Sequence, residues 1–325
     1  MSQSLLELKN VTKIFSVGGY LVSKRTIKAL DSISFAIPSD KPVIIALVGE
    51  SGSGKTTLAK IILGLLKPSS GEVLYKGKKL SDWLKKNRFD YLKEVQPVFQ
   101  DPYSTYNPFY RVERVLEVAV KKFKLASTKA ERRKIILKAM EEMGLRPEDI
   151  LGRYPHQLSG GERQRLMLVR LLLIKPKLIV ADEPVSMIDV SLRAIFLDHL
   201  ASFKNNLNTS CLYITHDLNT ASYISDRIIV LCRGRIVEDG PKEDLIKEPL
   251  HPYTRLLVNS IPIPDPKHRW VEKVELRSIE SFKEPDLKKC IFSERCPLFK
   301  EICGCEAPTL FEVGRDRRVA CFQYC

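Results

Sequence analysis

A glycine-rich stretch over residues 49–57 has the composition of a phosphate-binding loop. Its letters, GESGSGKTT, contain the spacing G-x-x-x-x-G-K-T, in which backbone N–H groups converge on phosphate oxygens at the start of a helix. Gly52 and Gly54 are predicted to let the backbone approach the ligand. Lys55 is predicted to reach the β- and γ-phosphates, and the Thr56 hydroxyl to bind Mg²⁺. The predicted nucleotide-binding residues of the loop are Gly49, Glu50, Ser51, Gly52, Ser53, Gly54, Lys55, Thr56 and Thr57.

Two adjacent carboxylates form a second candidate group. Asp182 and Glu183 come directly after the apolar run LIVA, and a strand this apolar delivers its last residues to a buried edge rather than to a surface turn. Phosphoryl transfer that depends on Mg²⁺ needs such a pair. Asp182 is predicted to hold Mg²⁺, and Glu183 to accept a proton from the attacking water.

The segments around these residues have the patterns of the elements that must position them. Residues 43–48 read as a short buried strand before the loop, and residues 58–66 as the apolar part of a helix after it. Strand and helix patterns then alternate, which predicts an α/β fold with a mainly parallel sheet and helices on both faces. Strands over residues 5–15 and 33–37, joined by a polar connection over 16–28, predict an antiparallel edge.

Composition limits the classes of protein that fit. The chain has 325 residues, is 44% hydrophobic and carries a formal net charge of +14, with Lys and Arg scattered rather than gathered in a basic block. This distribution favours a solvated surface over a nucleic-acid footprint. No apolar run approaches the roughly 18 residues that span a bilayer, and the N-terminus lacks the features of a signal peptide. We therefore expect a cytoplasmic protein, whose thiols are kept reduced.

The cysteines are unevenly distributed. Cys211 and Cys232 are isolated in apolar surroundings, whereas six crowd the last 36 residues. These six are Cys290, Cys296, Cys303, Cys305, Cys321 and Cys325. Four thiolates suit an iron–sulfur cluster or zinc. The gaps of five, six and 17 residues between Cys290, Cys296, Cys303 and Cys321 match neither common spacing, so the sequence leaves cluster, zinc, and free thiols or disulfides open.

Several motifs together resemble the ATP-binding cassette (ABC) family over about residues 5–240. The run LSGGE at 158–162, followed by RQR, resembles the family's signature sequence. Gln100 after a strand resembles its Q-loop, and His216 in YITHD its switch histidine. Residues 186–189 resemble its D-loop, with Met187 and Ile188 where an Ala-Leu pair is usual.

The resemblance implies a site shared between two cassettes paired head to tail. ATP held by Lys55, Thr56 and Asp182 of one cassette would be closed over by Ser159, Gly160 and Gly161 of the other. Glu162 and Asp189 are the remaining residues that the resemblance assigns to ATP. Glu183 would be the base, His216 would contact the γ-phosphate and the water, and Gln100 would sense Mg²⁺. Phe15 is the best match to the family's adenine-stacking aromatic, with Tyr20 as the rival.

Further segments narrow the resemblance to the ATPase subunits of oligopeptide and dipeptide importers. These segments are QDPY at 100–103 with NP at 107–108, RYPHQ at 153–157 and HPYT at 251–254. The resemblance implies a second cassette subunit, usually a paralogue, two transmembrane permease subunits and an extracytoplasmic solute-binding protein, with this chain at the cytoplasmic face of the cell membrane. It implies no nucleic-acid partner. Related importers carry peptides, nickel or oligosaccharides.

In such importers a membrane subunit inserts a helix beside the Q-loop. Four aromatic residues could receive it, the alternative being that they pack the helical insert itself. They are Tyr103, Tyr106, Phe109 and Tyr110.

The cysteine tail fits the same subfamily, some of whose members carry a [4Fe–4S] cluster. The implied ligands are Cys290, Cys296, Cys303 and Cys321, while Cys305 and Cys325 lie outside the pattern. The predicted organisation is a nucleotide-binding domain over 1–240 with a helical subdomain at about 101–170, a linker over 241–289 and a Cys-rich tail over 290–325. The alternative function is a soluble ABC ATPase acting on nucleic acid or ribosomes. The single cassette and the lack of a heptad run argue against it.

Overall fold

The structure is a computed structural model that describes residues 4–17, 25–101, 106–261, 288–314 and 316–324. Tyr20, Tyr103, Cys325 and most of the predicted linker lie outside these ranges. The chain divides into two units. The unit called here the signature unit comprises Ile37–Ile44 and Tyr75–Ile214 with the N-terminal residues up to Leu5. The loop unit comprises Leu6–Ala36, Ile45–Leu74 and Thr215–Cys325.

The strands follow in chain order. They are β1 (Ser4–Val17), β2 (Arg25–Pro38), β3 (Ile44–Val48), β4 (Ser70–Tyr75), β5 (Lys78–Lys79), β6 (Val95–Val98), β7 (Leu178–Asp182), β8 (Ser210–Thr215), β9 (Arg227–Cys232), β10 (Arg235–Pro241), β11 (Phe311–Glu312) and β12 (Arg318–Val319).

The α-helices lie between and after these strands. They are α1 (Lys55–Ile62), α2 (Leu80–Lys86), α3 (Arg88–Glu94), α4 (Glu113–Lys122), α5 (Lys129–Glu142), α6 (Pro147–Ile150), α7 (Gly160–Ile174), α8 (Val190–Leu207), α9 (Leu218–Ile224), α10 (Lys242–Lys247) and α11 (Pro252–Asn259). Short 3₁₀ turns cover Pro155–Gln157 and Glu301–Gly304. No helix in the described ranges is long and apolar enough to cross a membrane.

The signature unit is built on parallel strands. β6 pairs with β7, and β7 with β8, in a register that sets Val98 beside Ala181 and Asp182 beside Ile214. Every residue of β7 and β8 is buried, as expected for central strands covered on both faces. Helices α4, α5 and α7 pack against one another and form the predicted helical insert.

The loop unit joins two kinds of sheet. Strand β1 lies between β2 and β4. Asn10 bonds to Ser34 and Thr12 to Ser32, so β1 and β2 run antiparallel, as predicted for this edge. Strand β3 pairs in parallel with β9, and β9 turns back on β10. Strand β12 of the tail pairs with β10, and β11 pairs with β12. The tail therefore extends the sheet that contains β3, the strand before the phosphate loop.

Two predicted boundaries are wrong. The connection expected over 16–28 is strand at both ends, because β1 runs to Val17 and β2 begins at Arg25. An antiparallel strand can leave one face in water, so polar residues there do not end it. The helix after the loop ends at Ile62, and Leu65 is 62% exposed. The apolar run after Ile62 is therefore a turn rather than more helix.

Candidate nucleotide-binding site

The phosphate loop joins the buried strand β3 to helix α1. Gly54 is the N-cap residue of α1, and no side chain caps the helix. The backbone N–H groups of a first helical turn lie at the positive end of the helix dipole, where phosphate oxygens bind. Thr56 is exposed in this turn, where its hydroxyl is available to a ligand. The local geometry is that of an anion site.

The two outer glycines are fixed by the protein's own backbone. A Cβ on Gly49 would lie 2.1 Å from the carbonyl oxygen of Leu231. Gly54 has φ 105°, and a Cβ there would lie 2.5 Å from the carbonyl oxygen of Ala29. Glycine at position 54 is thus required by packing against β2, in addition to any approach to the ligand.

Lys55 lies across the inside of the loop. Its side chain is only 5% exposed, and Nζ donates to the carbonyl oxygens of Gly49 at 2.7 Å and Glu50 at 2.8 Å. The ammonium group is therefore held next to the loop backbone, where bound phosphates would meet it. The Glu50 carboxylate instead pairs with Arg295 of the tail.

The carboxylate pair lies where predicted, at the end of β7. Asp182 is buried, and Glu183 follows with φ 46°, a conformation that costs a non-glycine residue about 1–3 kcal/mol and is concentrated at functional sites. The Glu183 N–H donates to Ile214 O at 2.8 Å. The amide and hydroxyl of Ser186 both donate to Glu183 O, at 3.2 and 3.0 Å. The backbone of Glu183 is therefore fixed on both sides.

Gln100 and His216 also follow strands. Gln100 lies two residues beyond β6, which is the parallel neighbour of β7, so Gln100 and Glu183 lie at the same edge of the signature unit's strands. His216 directly follows β8 and is exposed. Ligands of parallel sheets bind at the carboxyl ends of strands, which is where these side chains occur.

The signature sequence begins helix α7 with a capping box. Ser159 Oγ accepts from the N–H of Glu162 at 3.2 Å, and the Glu162 carboxylate accepts from the N–H of Ser159 at 2.7 Å. A Cβ on Gly160 would lie 3.2 Å from Met187 O, so the D-loop packs closely on this helix start. Ser159 is exposed, which leaves the N-terminus of α7 open to a second molecule.

Two buried polar residues after the signature had no assigned role. Arg163 donates to the carbonyl oxygens of Pro155 and Leu158, both at 2.6 Å, and Gln164 donates to Pro184 O at 2.8 Å. They join the start of α7 to the segment before it and to the residue after Glu183. In the sequence, these two residues stand inside the polar run from Glu162 to Arg165, and nothing in that run marks which of its members are buried.

The four candidate aromatics are not equivalent. Tyr106 is only 6% exposed and donates its hydroxyl to Arg163 O at 3.1 Å, so it packs the insert and its prediction as a docking residue is wrong. Phe109 is 84% exposed. Tyr110 is partly exposed and carries the Arg114 guanidinium 3.9 Å above its ring. Tyr103 lies outside the described residues.

Two further predicted nucleotide contacts are accessible. Phe15 is partly exposed on β1, with Lys13 Nζ 5.1 Å from the centre of its ring. Asp189 is exposed at the residue before α8. Adenine stacking on Phe15 stays a prediction.

The four predicted cysteine ligands line one small cavity, together with His251 and Phe292. Burial raises the pKa of the Cys290 thiol to about 11, and it also raises the pKa of Cys296. No described cysteine is in a disulfide. In the described ranges, no group of three or more His, Cys, Asp or Glu side chains is placed to hold a metal ion, so the predicted metal site is not confirmed.

Comparison with known proteins identifies the class of protein to which this fold belongs. The profile of the family described as ABC transporter matches residues 30–186. The dimeric structure of a post-hydrolysis state of the ATP-binding cassette MJ0796, bound to ADP and phosphate, has a TM-score of 0.63 and 29% identity and covers 73% of this chain and 98% of that one. The fold is that of an ABC cassette, as the motifs predicted.

The relatives and the C-terminal region define the branch. The profile described as oligopeptide/dipeptide transporter, C-terminal region, matches residues 237–303. YkfD of Bacillus subtilis, assigned provisionally as an oligopeptide transport ATP-binding protein, is 38% identical over 98% of this chain and 95% of its own length. The oligopeptide transport ATP-binding protein AppF of the same organism is 36% identical over 99% of this chain and 98% of its own. This chain belongs to the oligopeptide/dipeptide branch of the ABC transporter ATP-binding proteins.

Proposed function

We propose that this chain is the ATP-hydrolysing subunit of an importer for di- or oligopeptides or related solutes such as nickel or oligosaccharides. The observation that carries the proposal is the order of two regions in one chain, an ABC cassette followed by an oligopeptide/dipeptide transporter C-terminal region. Relatives aligned over nearly the whole chain carry names of the same kind. The partners are a second cassette subunit, two permease subunits and an extracytoplasmic binding protein, and the chain acts at the cytoplasmic face of the membrane.

Three side-chain oxygens are suited to hold the Mg²⁺ ion that accompanies ATP. The Thr56 hydroxyl, the Asp182 carboxylate and the Gln100 amide oxygen are the hard oxygen ligands that this ion prefers. Bound Mg²⁺ would supply charge neutralisation on the phosphates. Lys55 and the start of α1 hold the phosphate oxygens. These residues bind and orient ATP before any bond changes.

Hydrolysis then needs a base at the γ-phosphate. Glu183 takes a proton from water while the water oxygen bonds to the γ-phosphorus and the bond to the ADP oxygen breaks, giving ADP and phosphate. His216 orients the γ-phosphate and the water. The fixed backbone of Glu183 supports this role, because a base must be held in place to be effective.

The second half of the site comes from the partner cassette. The N-terminus of α7, with Ser159, Gly160 and Gly161, would meet the γ-phosphate from the opposite side. The capping box keeps this helix start ordered without a ligand. Closing two cassettes over ATP would then be transmitted to the permeases, with the exposed Phe109 as a candidate contact.

Reconstitution tests the proposal. The chain is co-expressed with its partner cassette, permeases and binding protein, and the complex is placed in vesicles that contain ATP. Labelled peptide should accumulate with the wild-type chain and fail to accumulate with Glu183→Gln. Purification with ribosomes in place of permeases, or assembly without ATP-dependent uptake of any of these solutes, would overturn it.

We also propose that the cysteine cavity holds a [4Fe–4S] cluster on Cys290, Cys296, Cys303 and Cys321. The shared cavity supports this ligand set, and four thiolates are the usual ligands of such a cluster. The cluster would have a structural role, because ATP hydrolysis transfers no electrons to or from a redox centre. Protein purified without oxygen should be brown and hold about four irons per chain. Cys303→Ser should lose iron while the exposed Cys305→Ser retains it, and iron-free folded wild-type protein would contradict the assignment.

A further inference from the structure

Glu50, the second residue of the phosphate loop, has all its main-chain and carboxylate polar atoms engaged. Its N–H donates to the Tyr253 hydroxyl at 2.8 Å. Its carbonyl oxygen accepts from the N–H of Ser53 at 3.2 Å and from Lys55 Nζ at 2.8 Å. Its carboxylate accepts from both terminal nitrogens of Arg295, at 3.0 and 2.9 Å. Glu50 therefore connects the loop to two residues of the C-terminal region, Tyr253 in α11 and Arg295 in the tail.

The two C-terminal partners are themselves held in place. Tyr253 is fully buried at the start of α11, and its ring centre lies 5.5 Å from that of Phe292. The Arg295 guanidinium lies 5.5 Å from the same ring. A bidentate pair between arginine and carboxylate fixes geometry as well as charge. The two residues that bond to Glu50 are thus themselves held by contacts with Phe292.

The charge at Glu50 explains why such support matters for ATP. A carboxylate within a triphosphate-binding loop repels the ligand, because charges a few ångströms apart near a protein surface interact strongly. Arg295 neutralises that carboxylate with a planar, permanently charged fork. Loss of Arg295 would leave the Glu50 carboxylate without its counter-charge, one residue after the first glycine of the loop.

We propose that Tyr253 of α11 and Arg295 of the tail are positioning residues of the phosphate loop, through which the C-terminal region sets the affinity of this chain for ATP. Tyr253 fixes the loop backbone at the Glu50 amide, and Arg295 cancels the Glu50 charge. The proposal rests on the ATP-binding role of the loop and does not depend on whether the cysteines hold a cluster.

Equilibrium binding of Mg·ATP to the full chain tests it. Arg295→Gln should raise the Kd for ATP about tenfold, the scale of a charge-assisted hydrogen bond. Tyr253→Phe keeps the packing against Phe292 and removes only the hydroxyl, and it should raise Kd roughly threefold. The Arg295→Gln defect should shrink at high ionic strength, because salt screens the exposed charge.

Rescue separates charge compensation from tail folding. Glu50→Gln combined with Arg295→Gln should bind ATP within about twofold of Glu50→Gln alone, because a neutral residue needs no counter-charge. Arg255→Gln and Tyr324→Phe are matched controls, since these residues bond to each other between α11 and the tail without touching the loop. Both should bind ATP like wild type.

Three results would overturn the proposal. The first is an unchanged ATP affinity in Tyr253→Phe. The second is failure of Glu50→Gln to rescue Arg295→Gln. The third is a loss of ATP affinity in Arg255→Gln and Tyr324→Phe as large as that in Arg295→Gln. If Arg295→Gln does not fold, the isosteric Tyr253→Phe decides the outcome alone. A wild-type chain that binds no ATP would contradict the proposed function instead.

Discussion

At the scale of single residues, two backbone conformations define the candidate site. Glu183 has φ 46° and Gly54 has φ 105°. Glu183 is held there by Ile214 and Ser186, whereas Gly54 is confined by the carbonyl of Ala29. The first arrangement stores strain at a candidate base. The second makes one position of the loop intolerant of any side chain.

A matched pair of alanine variants tests the packing at Gly54. Both Gly52 and Gly54 have positive φ, but a Cβ on Gly52 has no neighbour within 4 Å, whereas one on Gly54 lies 2.5 Å from Ala29 O. Gly52→Ala should lower the free energy of unfolding by about 1–2 kcal/mol, the cost of the left-handed conformation. Gly54→Ala should lower it by clearly more. Chemical denaturation without nucleotide measures both, and equal losses would refute the role given to Ala29.

The sequence was sufficient to predict those parts of the candidate site that consist of residues close together in the chain. The phosphate loop, the carboxylates after β7 and the LSGGE run each lie within a few positions, so local spacing reports their geometry. The pair of Glu50 and Arg295 is separated by 245 positions. No periodicity links such residues, and only the folded tail brings them together. Tyr106 was misplaced for a related reason, because an aromatic residue suits a surface or a core equally well.

At the scale of elements, Asp31 joins β2 to the turn between β9 and β10. Its buried carboxylate accepts from Arg235 at 2.7 Å and Lys28 at 3.0 Å, and its N–H donates to Gly234 O at 2.9 Å. Burial alone would raise the pKa of Asp31, but the hydrogen bonds from Arg235 and Lys28 lower that pKa below its usual range. The ionised form is therefore favoured by folding.

The pH dependence of stability follows from this sign. Because the pKa of Asp31 is lower in the folded chain, its stabilisation is complete above the unfolded-state pKa and is lost as pH falls through the folded one. Asp31→Asn should thus be less stable than wild type near neutral pH, with a difference that shrinks below about pH 4. Urea unfolding across pH measures it. Asp149→Asn, which breaks an exposed pair with Arg146, should show almost no difference, and a constant gap for Asp31→Asn would contradict the pKa shift.

Element types were more predictable than element ends. Helices α4 and α5 lie within the helical subdomain predicted at about 101–170, and α5 begins at a capping box formed by Thr128 and Glu131. Strand β2 is much longer than its apolar part, since its polar residues still pair in the sheet. Strands β11 and β12 contain two residues each, too few for any pattern to indicate.

At the scale of the whole molecule, buried ion pairs attach the tail to strand β10 within the loop unit. Glu238 on β10 is 0% exposed and accepts from Arg317 at 2.7 Å as well as from the N–H groups of Leu250 and His251. Next to it, buried Asp239 accepts from Arg227 at 2.6 Å and pairs with Arg318. The tail that supports the phosphate loop is therefore anchored to the same sheet.

Removing Arg317 tests this attachment. Arg317→Met would leave the Glu238 carboxylate buried without its cation, and breaking a buried pair in this way costs about 3–5 kcal/mol. Arg146→Met breaks an exposed pair with Asp149 and should cost less than about 1 kcal/mol. Denaturation of the two purified variants measures the contrast. Similar losses would contradict a structural role for the buried pair.

The central claim is that this chain hydrolyses ATP with Glu183 as the base, and steady-state turnover of the assembled transporter complex tests it most directly. Glu183→Gln keeps the size of the side chain and removes its ability to take a proton. Turnover should fall by roughly 10² or more while Mg·ATP binding stays at the wild-type level. Near-normal turnover in the complex that carries Glu183→Gln with a competent partner cassette would contradict the account.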